Sequence, residues 1–199
     1  NEFLEQIPEI ADGAQPIQTL QNAIEFKNVS LTYDDTHITA LKNINFTVQK
    51  GETIAILGKT GSGKSSILNL VSRLYDTSEG SVLVNDKNIK DYELSSLRNI
   101  IGFVPQDPFL FSDSIANNIK FGAENATEKE IKTAATDAVI HENISEFNHG
   151  YQTVLGERGI TVSGGQKQRI SIARAIIKNP DILIFDDCLS AVDTETEEQ

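Results

Sequence analysis

Residues 53–75 read TIAILGKTGSGKSSILNLVSRLY, and the change of texture inside them decides the fold. TIAILG, 53–58, is a short apolar run of the kind that makes a strand buried on both faces. GKTGSGKS, 58–65, fits G-x-x-x-x-G-K-[ST], and chance alone gives roughly 0.01 matches in a chain of this length. Ile67, Leu70, Val71 and Leu74 then fall at i, i+3, i+4 and i+7, one face of a helix. Strand, glycine loop and helix in that order form a cradle for a polyphosphate. Gly58, Gly61 and Gly63 let the backbone wrap the anion, and successive N–H groups at the helix start face its oxygens. Lys64 brings a positive charge to the β- and γ-phosphates, and Ser65 offers a hydroxyl to Mg²⁺. Lys59, Thr60, Ser62 and Ser66 complete the loop and the first turn.

Outward from this unit the pattern alternates between strand and helix. Upstream, Ile24 and Phe26 alternate, then Val29, Leu31 and Tyr33, which predicts two strand pieces joined by a bulge. Asp34–Thr36 reads as a turn, and Ile44, Phe46 and Val48 as the next strand. Downstream come the apolar runs SVLV (81–84), IIGFV (100–104) and DILIF (181–185). Thr127 with Glu130 predicts a capped helix to about Val139, and Ser163 with Gln166 predicts a second. The expected fold is α/β, with a partly parallel core sheet, antiparallel strands ahead of it and a helical insert.

The chain has 199 residues, one cysteine (Cys188) and a net charge of −12. That balance opposes broad binding to nucleic acid or anionic lipid, and the lone cysteine excludes an internal disulfide framework. No apolar run reaches the roughly 18 residues of a membrane helix. The absence of methionine and the ending TETEEQ suggest a piece of a longer polypeptide, with residues 1–22, broken by Pro8, Gly13 and Pro16, as a linker. His37, His141 and His149 lack metal-ligand spacing, and Cys188 reads as a small apolar side chain.

Two further stretches bear on chemistry. LIFDD carries Asp186 to the C-terminal end of a strand, where a carboxylate can hold Mg²⁺ through water; taken alone it is equally well two surface acids. VSGGQ, 162–166, puts Gly164 and Gly165 in the first turn of a capped helix, which costs helix propensity and leaves N–H groups open to an anion; taken alone it is equally well a core helix.

Together these motifs resemble, in order and over residues 20–199, the ATP-binding cassette (ABC) ATPases. The resemblance implies a P-loop NTPase (RecA-like) core with an antiparallel β sub-domain and an inserted helical sub-domain at about 107–165, all within a cassette over 23–199. It makes GKTGSGKS the Walker A motif, LIFDD Walker B, and VSGGQ the signature, with Val162 in place of Leu. Tyr33, otherwise a strand-end aromatic, matches the residue that stacks on adenine. Gln106 in VPQDP, otherwise a solvated loop residue, matches the glutamine that senses Mg²⁺ and attacking water. Ser190–Asp193 matches the D-loop, and LGERG (155–159) with VPQDPFLFSDSIANNI is similar to exporter cassettes.

The implied ligands are ATP and Mg²⁺, the metal falling to Ser65, Gln106 and Asp186. The implied partners are a transmembrane domain of the same polypeptide and a second cassette, at the cytoplasmic face of the cell membrane. In such pairs, Ser163, Gly164, Gly165 and Gln166 complete the partner's ATP site. Asp187 stands where efficient members carry Glu as general base, which implies a weakly hydrolytic site and favours a heterodimer over a homodimer, with a barely turning over regulatory switch as the alternative function. The family's switch histidine would lie beyond residue 199. A DNA-repair-type ATPase would need a long coiled-coil insert, which the sequence lacks.

Overall fold

The computed structural model describes residues 10–156 and 162–187. The D-loop match, Cys188 and residues 157–159 of LGERG lie outside the described residues. The chain divides into two compact units, Asn1–Ile100 and Ile101–Gln199.

The first unit is built on an antiparallel sheet of order β2-β1-β3-β4, with β1 at Ala23–Thr32, β2 at Thr39–Gln49, β3 at Glu79–Val84 and β4 at Lys87–Asn88. The phase change in AIEFKNVSLT is a register shift between Phe26 and Val29, as the alternation requires. Phe26 faces Phe46 across the β1–β2 pair, their rings stacked at 4.4 Å. Helix α1, Lys64–Val71, lies against β2 and buries Ile67, Leu70 and Val71. Leu74 departs from the expected face, because the helix has already ended at Ser72 and the side chain is 48% exposed. Helix α2, Leu94–Asn99, ends this unit.

One expectation fails in this unit. Residues 53–58 form no strand; Ile54 is 48% and Leu57 91% exposed. An apolar run supplies strand propensity, but a strand needs a ladder partner for its N–H and C=O groups. No described residue pairs with 53–58, since the sheet of this unit ends at β2 and β4. Residues 10–22 pack onto this unit, with Ile17 and Leu20 buried.

In the second unit β5 (Ile101–Val104) and β6 (Ile182–Phe185) pair in parallel, the crossover type that an α/β core requires. Ile182 and Ile184 are buried, whereas Leu183 and Phe185 are about half exposed, so β6 is covered on one face only. The helices are α3 (Ile115–Lys120), α4 (Glu128–Asp137), α5 (His141–Glu146) and α6 (Gly164–Ile176). Their shared core includes Leu110, Ile119, Ile144, Leu155 and Ile170, all at most 1% exposed. Both expected capping boxes are formed, Thr127 with Glu130 opening α4 and Ser163 with Gln166 opening α6. No helix of the described residues is long and apolar enough to cross a membrane.

Candidate functional site

The glycine loop is shaped as its sequence demands. Gly61 and Gly63 take φ of 78° and 90°, the left-handed region that glycine enters without strain. Gly63 is required twice over, because a Cβ there would stand 2.6 Å from the Ala40 carbonyl oxygen of β2. The Ser62 N–H donates to the Lys59 carbonyl at 3.1 Å and closes the turn. The Lys64 ammonium folds back over the loop, donating to the Gly58 carbonyl at 2.9 Å and the Lys59 carbonyl at 3.2 Å. Gly63 caps α1 without any side-chain hydrogen bond, and the first turn of α1 holds no acid. The positive end of the helix dipole and the ammonium therefore face the same loop, a donor set that fits a polyphosphate.

Tyr33 is joined to this loop. Its hydroxyl lies 2.9 Å from Ser66 Oγ in the first turn of α1, and Tyr75 packs edge-on against its ring at 4.9 Å. The candidate adenine platform and the phosphate loop are thus connected through side chains of one unit.

In the second unit, the ends of β5 and β6 bring together Gln106, Asp186 and Asp187. The Asp186 N–H donates to the Val104 carbonyl at 3.0 Å, continuing the parallel ladder past β6. Asp187 then turns with φ of 48°, a conformation that Asp tolerates better than most residues. Its Oδ2 accepts from Gln106 Nε2 at 3.4 Å, a long contact between two solvent-exposed side chains. Each unit offers oxygen donors by itself: the Ser65 hydroxyl at the start of α1 in the first, and the Gln106 amide and Asp186 carboxylate in the second, and hard donors of this kind are the type that Mg²⁺ takes.

The signature segment opens α6. Ser163 Oγ accepts from the Gln166 N–H at 3.2 Å, and Gln166 Oε1 accepts from the Ser163 N–H at 3.0 Å. Gly164 faces open space, so no neighbour explains why the position lacks a side chain.

Two residues that sequence reasoning missed tie this helix to the segment around Gln106. Gln168, 1% exposed, donates from Nε2 to the Pro105 carbonyl at 3.3 Å. Arg174 donates to the Phe109 carbonyl at 2.7 Å and to the carbonyl and side-chain oxygens of Asn118 at 2.8 and 2.9 Å. Its guanidinium also lies 5.5 Å from the Phe111 ring and 5.9 Å from the Phe121 ring. Burial lowers the pKa of Arg174 to about 10, which leaves it charged at neutral pH. Polar residues beside the apolar stripe Ile170–Ala173–Ile177 were the only sequence signal for either.

The ABC transporter family model matches residues 41–190. A Staphylococcus aureus protein (strain NCTC 8325 / PS 47) called "Putative multidrug export ATP-binding/permease protein" is 48% identical over 185 residues, 93% of this chain and 32% of the relative. Its namesake in the bovine strain RF122 / ET3-1 is 47% identical over the same shares. The chain thus spans about a third of the length of these relatives. A solved bacterial Atm1-family ABC exporter with ATP bound superposes with a TM-score of 0.94 at 40% identity, over 99% of this chain and 35% of that one. The chain therefore belongs to the ABC transporter family, as a nucleotide-binding domain with the P-loop NTPase fold, related to exporter ATP-binding/permease proteins.

Proposed function

We propose that this chain binds and hydrolyses ATP to drive export through a membrane domain of the same polypeptide, by closing against a second cassette on the cytoplasmic face. The observation that carries the reading is the phosphate loop, where the Lys64 ammonium and an uncapped helix start converge on left-handed glycines. Loop residues Gly58–Ser66 take the phosphates and Tyr33 takes the adenine. Ser65, Asp186 and Gln106 take Mg²⁺, which when bound offsets charge on the β- and γ-phosphates. In this reading residues 1–22 join the membrane domain, 23–199 are the cassette, and about 107–165 are its helical sub-domain.

For hydrolysis, water attacks the γ-phosphorus and its proton passes to a carboxylate as the bond to ADP breaks. Asp187 is the candidate base and Gln106 its neighbour at 3.4 Å. Asp is one methylene shorter than Glu, and a misplacement of about 1 Å can cost on the order of 10²-fold in rate. This chain's own site is therefore the weak one of a heterodimer. Ser163, Gly164, Gly165 and Gln166 complete the stronger site on the partner. A regulatory switch with negligible turnover is the second reading, and the same Asp187 favours it.

Single-turnover ATP cleavage in the full-length pair, with the partner's Walker A lysine replaced, tests both. Asp187→Glu is expected to raise cleavage by about 10- to 100-fold. Family-typical cleavage in the unmodified chain, with no gain from Glu, would overturn the weak-site assignment. Silence in both sites of the unmodified pair, with the partner's lysine intact, would favour the switch.

A further inference from the structure

We infer that Arg73 is a positioning residue that clamps the segment ahead of β1 to the far end of the phosphate-loop helix, linking occupancy of the loop to docking of that segment. The inference rests on the ATP-binding reading above.

Arg73 is among the largest fully buried side chains, 2% exposed, with a left-handed φ of 49°. Its fork reaches three ways. Nη2 donates to the Ala11 carbonyl at 2.6 Å, Nη1 to the Tyr92 carbonyl at 3.2 Å, and Nε to Asp76 Oδ1 at 3.3 Å. Arg98 fixes the same turn from the other side, donating to the Ser72 and Arg73 carbonyls at 3.3 and 2.8 Å. An apolar side chain could fill this space without desolvating a charge. What the guanidinium adds is direction, because its planar donors hold three acceptors in one fixed arrangement.

The acceptor at Ala11 belongs to a strap. Gln15 forms a parallel bridge with Tyr92, its N–H donating to the Asp91 carbonyl at 3.0 Å and its carbonyl accepting from the Glu93 N–H at 2.9 Å. Asp12 Oδ1 accepts from the Leu94 N–H at 2.7 Å, and the Ile17 N–H donates to Ser96 Oγ at 3.1 Å. Gly13 is pressed so closely here that a Cβ would run into the Tyr92 and Asp91 carbonyls. Tyr92 is therefore the shared point, gripped by Arg73 on one side and crossed by Gly13 on the other.

Arg73 follows α1 by two residues, and the other end of α1 is Lys64 and the phosphate loop. Eight residues make a rod about 12 Å long, short enough to move as one piece. A shift of the loop around phosphates is then delivered to Arg73, and by linkage the docked strap acts back on the loop.

Hydrogen-exchange mass spectrometry on the full-length polypeptide, with and without saturating ATP and Mg²⁺, reads this at peptides containing Gln15 and Ile17. ATP is expected to slow their exchange several-fold. In Arg73→Met the exchange is expected to rise about tenfold without ATP and to stop responding to it, with ATP affinity changed less than about threefold. Arg73→Lys keeps the charge but not the fork and is expected to behave like Met. Gly13→Ala reaches the same contact from the strap side and is expected to abolish the ATP response alone; the double variant adds nothing further.

Strap exchange that ignores ATP in the unmodified protein would overturn the inference. A response that survives Gly13→Ala would do the same, and that variant decides alone if Arg73→Met does not fold. Failure of a fluorescent nucleotide to bind the unmodified protein would instead remove the ATP reading, and the clamp with it.

Discussion

Helices α4 and α6 open with the same reciprocal cap and then part ways. At α4, Thr127 and Glu130 exchange hydrogen bonds, and two acids, Glu128 and Glu130, sit in the first turn. The helix start is satisfied by its own side chains and its dipole is met by local negative charge. At α6, Ser163 and Gln166 make the same exchange, but glycines follow and the first turn holds no acid. Helix α1 goes further, with no side-chain cap, no acid, and a lysine at its first position. The capping box alone thus says nothing about ligands. On the proposed function, what separates a closed helix start from one built for an anion is the absence of local negative charge together with a backbone cleared of side chains.

The largest effect should come from removing the charge where the helix start is most open. Lys64→Ala deletes the ammonium and leaves only backbone dipoles. Charge-assisted hydrogen bonds are worth about 1.5–3 kcal/mol each, so ATP affinity should fall on the order of 100-fold. Titration with a fluorescent nucleotide measures this, and an unchanged affinity would remove Lys64 from the site.

Next is the attempt to turn α6 into α4. Gly164→Asp places an acid in the first turn at a position where a Cβ meets nothing within 4 Å. The helix should gain about 1 kcal/mol from propensity and dipole. If the motif completes a partner's ATP site as proposed, turnover there should fall at least tenfold, because the carboxylate repels the γ-phosphate. Thermal unfolding and steady-state turnover of the cassette pair separate the two effects. A variant that is more stable and fully active would show that α6 needs no anion.

A smaller effect concerns the platform beside α1. Tyr33→Ala should cost about 1–3 kcal/mol of ATP binding through lost stacking. Tyr33→Phe keeps the ring but cannot bond Ser66 Oγ, and should cost about 1 kcal/mol. Ser66→Ala should match it, and the double variant should add little if one hydrogen bond is shared. Additive losses in the nucleotide titration would mean that the two residues act separately.

Features written in local pattern were legible in the sequence. The phosphate loop, both capping boxes, the β1 register shift and the strand-end acids each depend on residues within a few positions of one another. Residues 53–58 show the limit, since their apolar run could not say which strand would pair with them. Residues 10–22 show another, because Pro8, Gly13 and Pro16 exclude regular structure but not docking, and Gly13 is glycine for packing rather than for flexibility. Arg73, Gln168 and Arg174 were silent for a third reason. They grip main-chain carbonyls of residues 62, 63 and 65 positions away, and any residue presents a carbonyl.

The smallest effect tests the closed helix start itself. The Thr127 N–H and hydroxyl both donate to Glu130 Oε2 at 2.7 Å, and the Thr127 N–H, then its hydroxyl, hold the carboxyl pKa below its usual 4.5. A depressed folded-state value means that the ionised group stabilises α4 fully above the unfolded value. That contribution fades as pH falls through the lower folded value. Glu130→Gln should therefore speed amide exchange in the first turns of α4 at neutral pH, after correction for intrinsic rates. The difference from the unmodified chain should close once both carry a neutral side chain, well below 4.5. Nucleotide affinity should not move at neutral pH, since this cap touches no part of the phosphate loop in sequence. If the exchange difference persisted unchanged into acid, the cap would owe nothing to the charge. The contrast between α4 and the two open helix starts would then rest on the glycines alone.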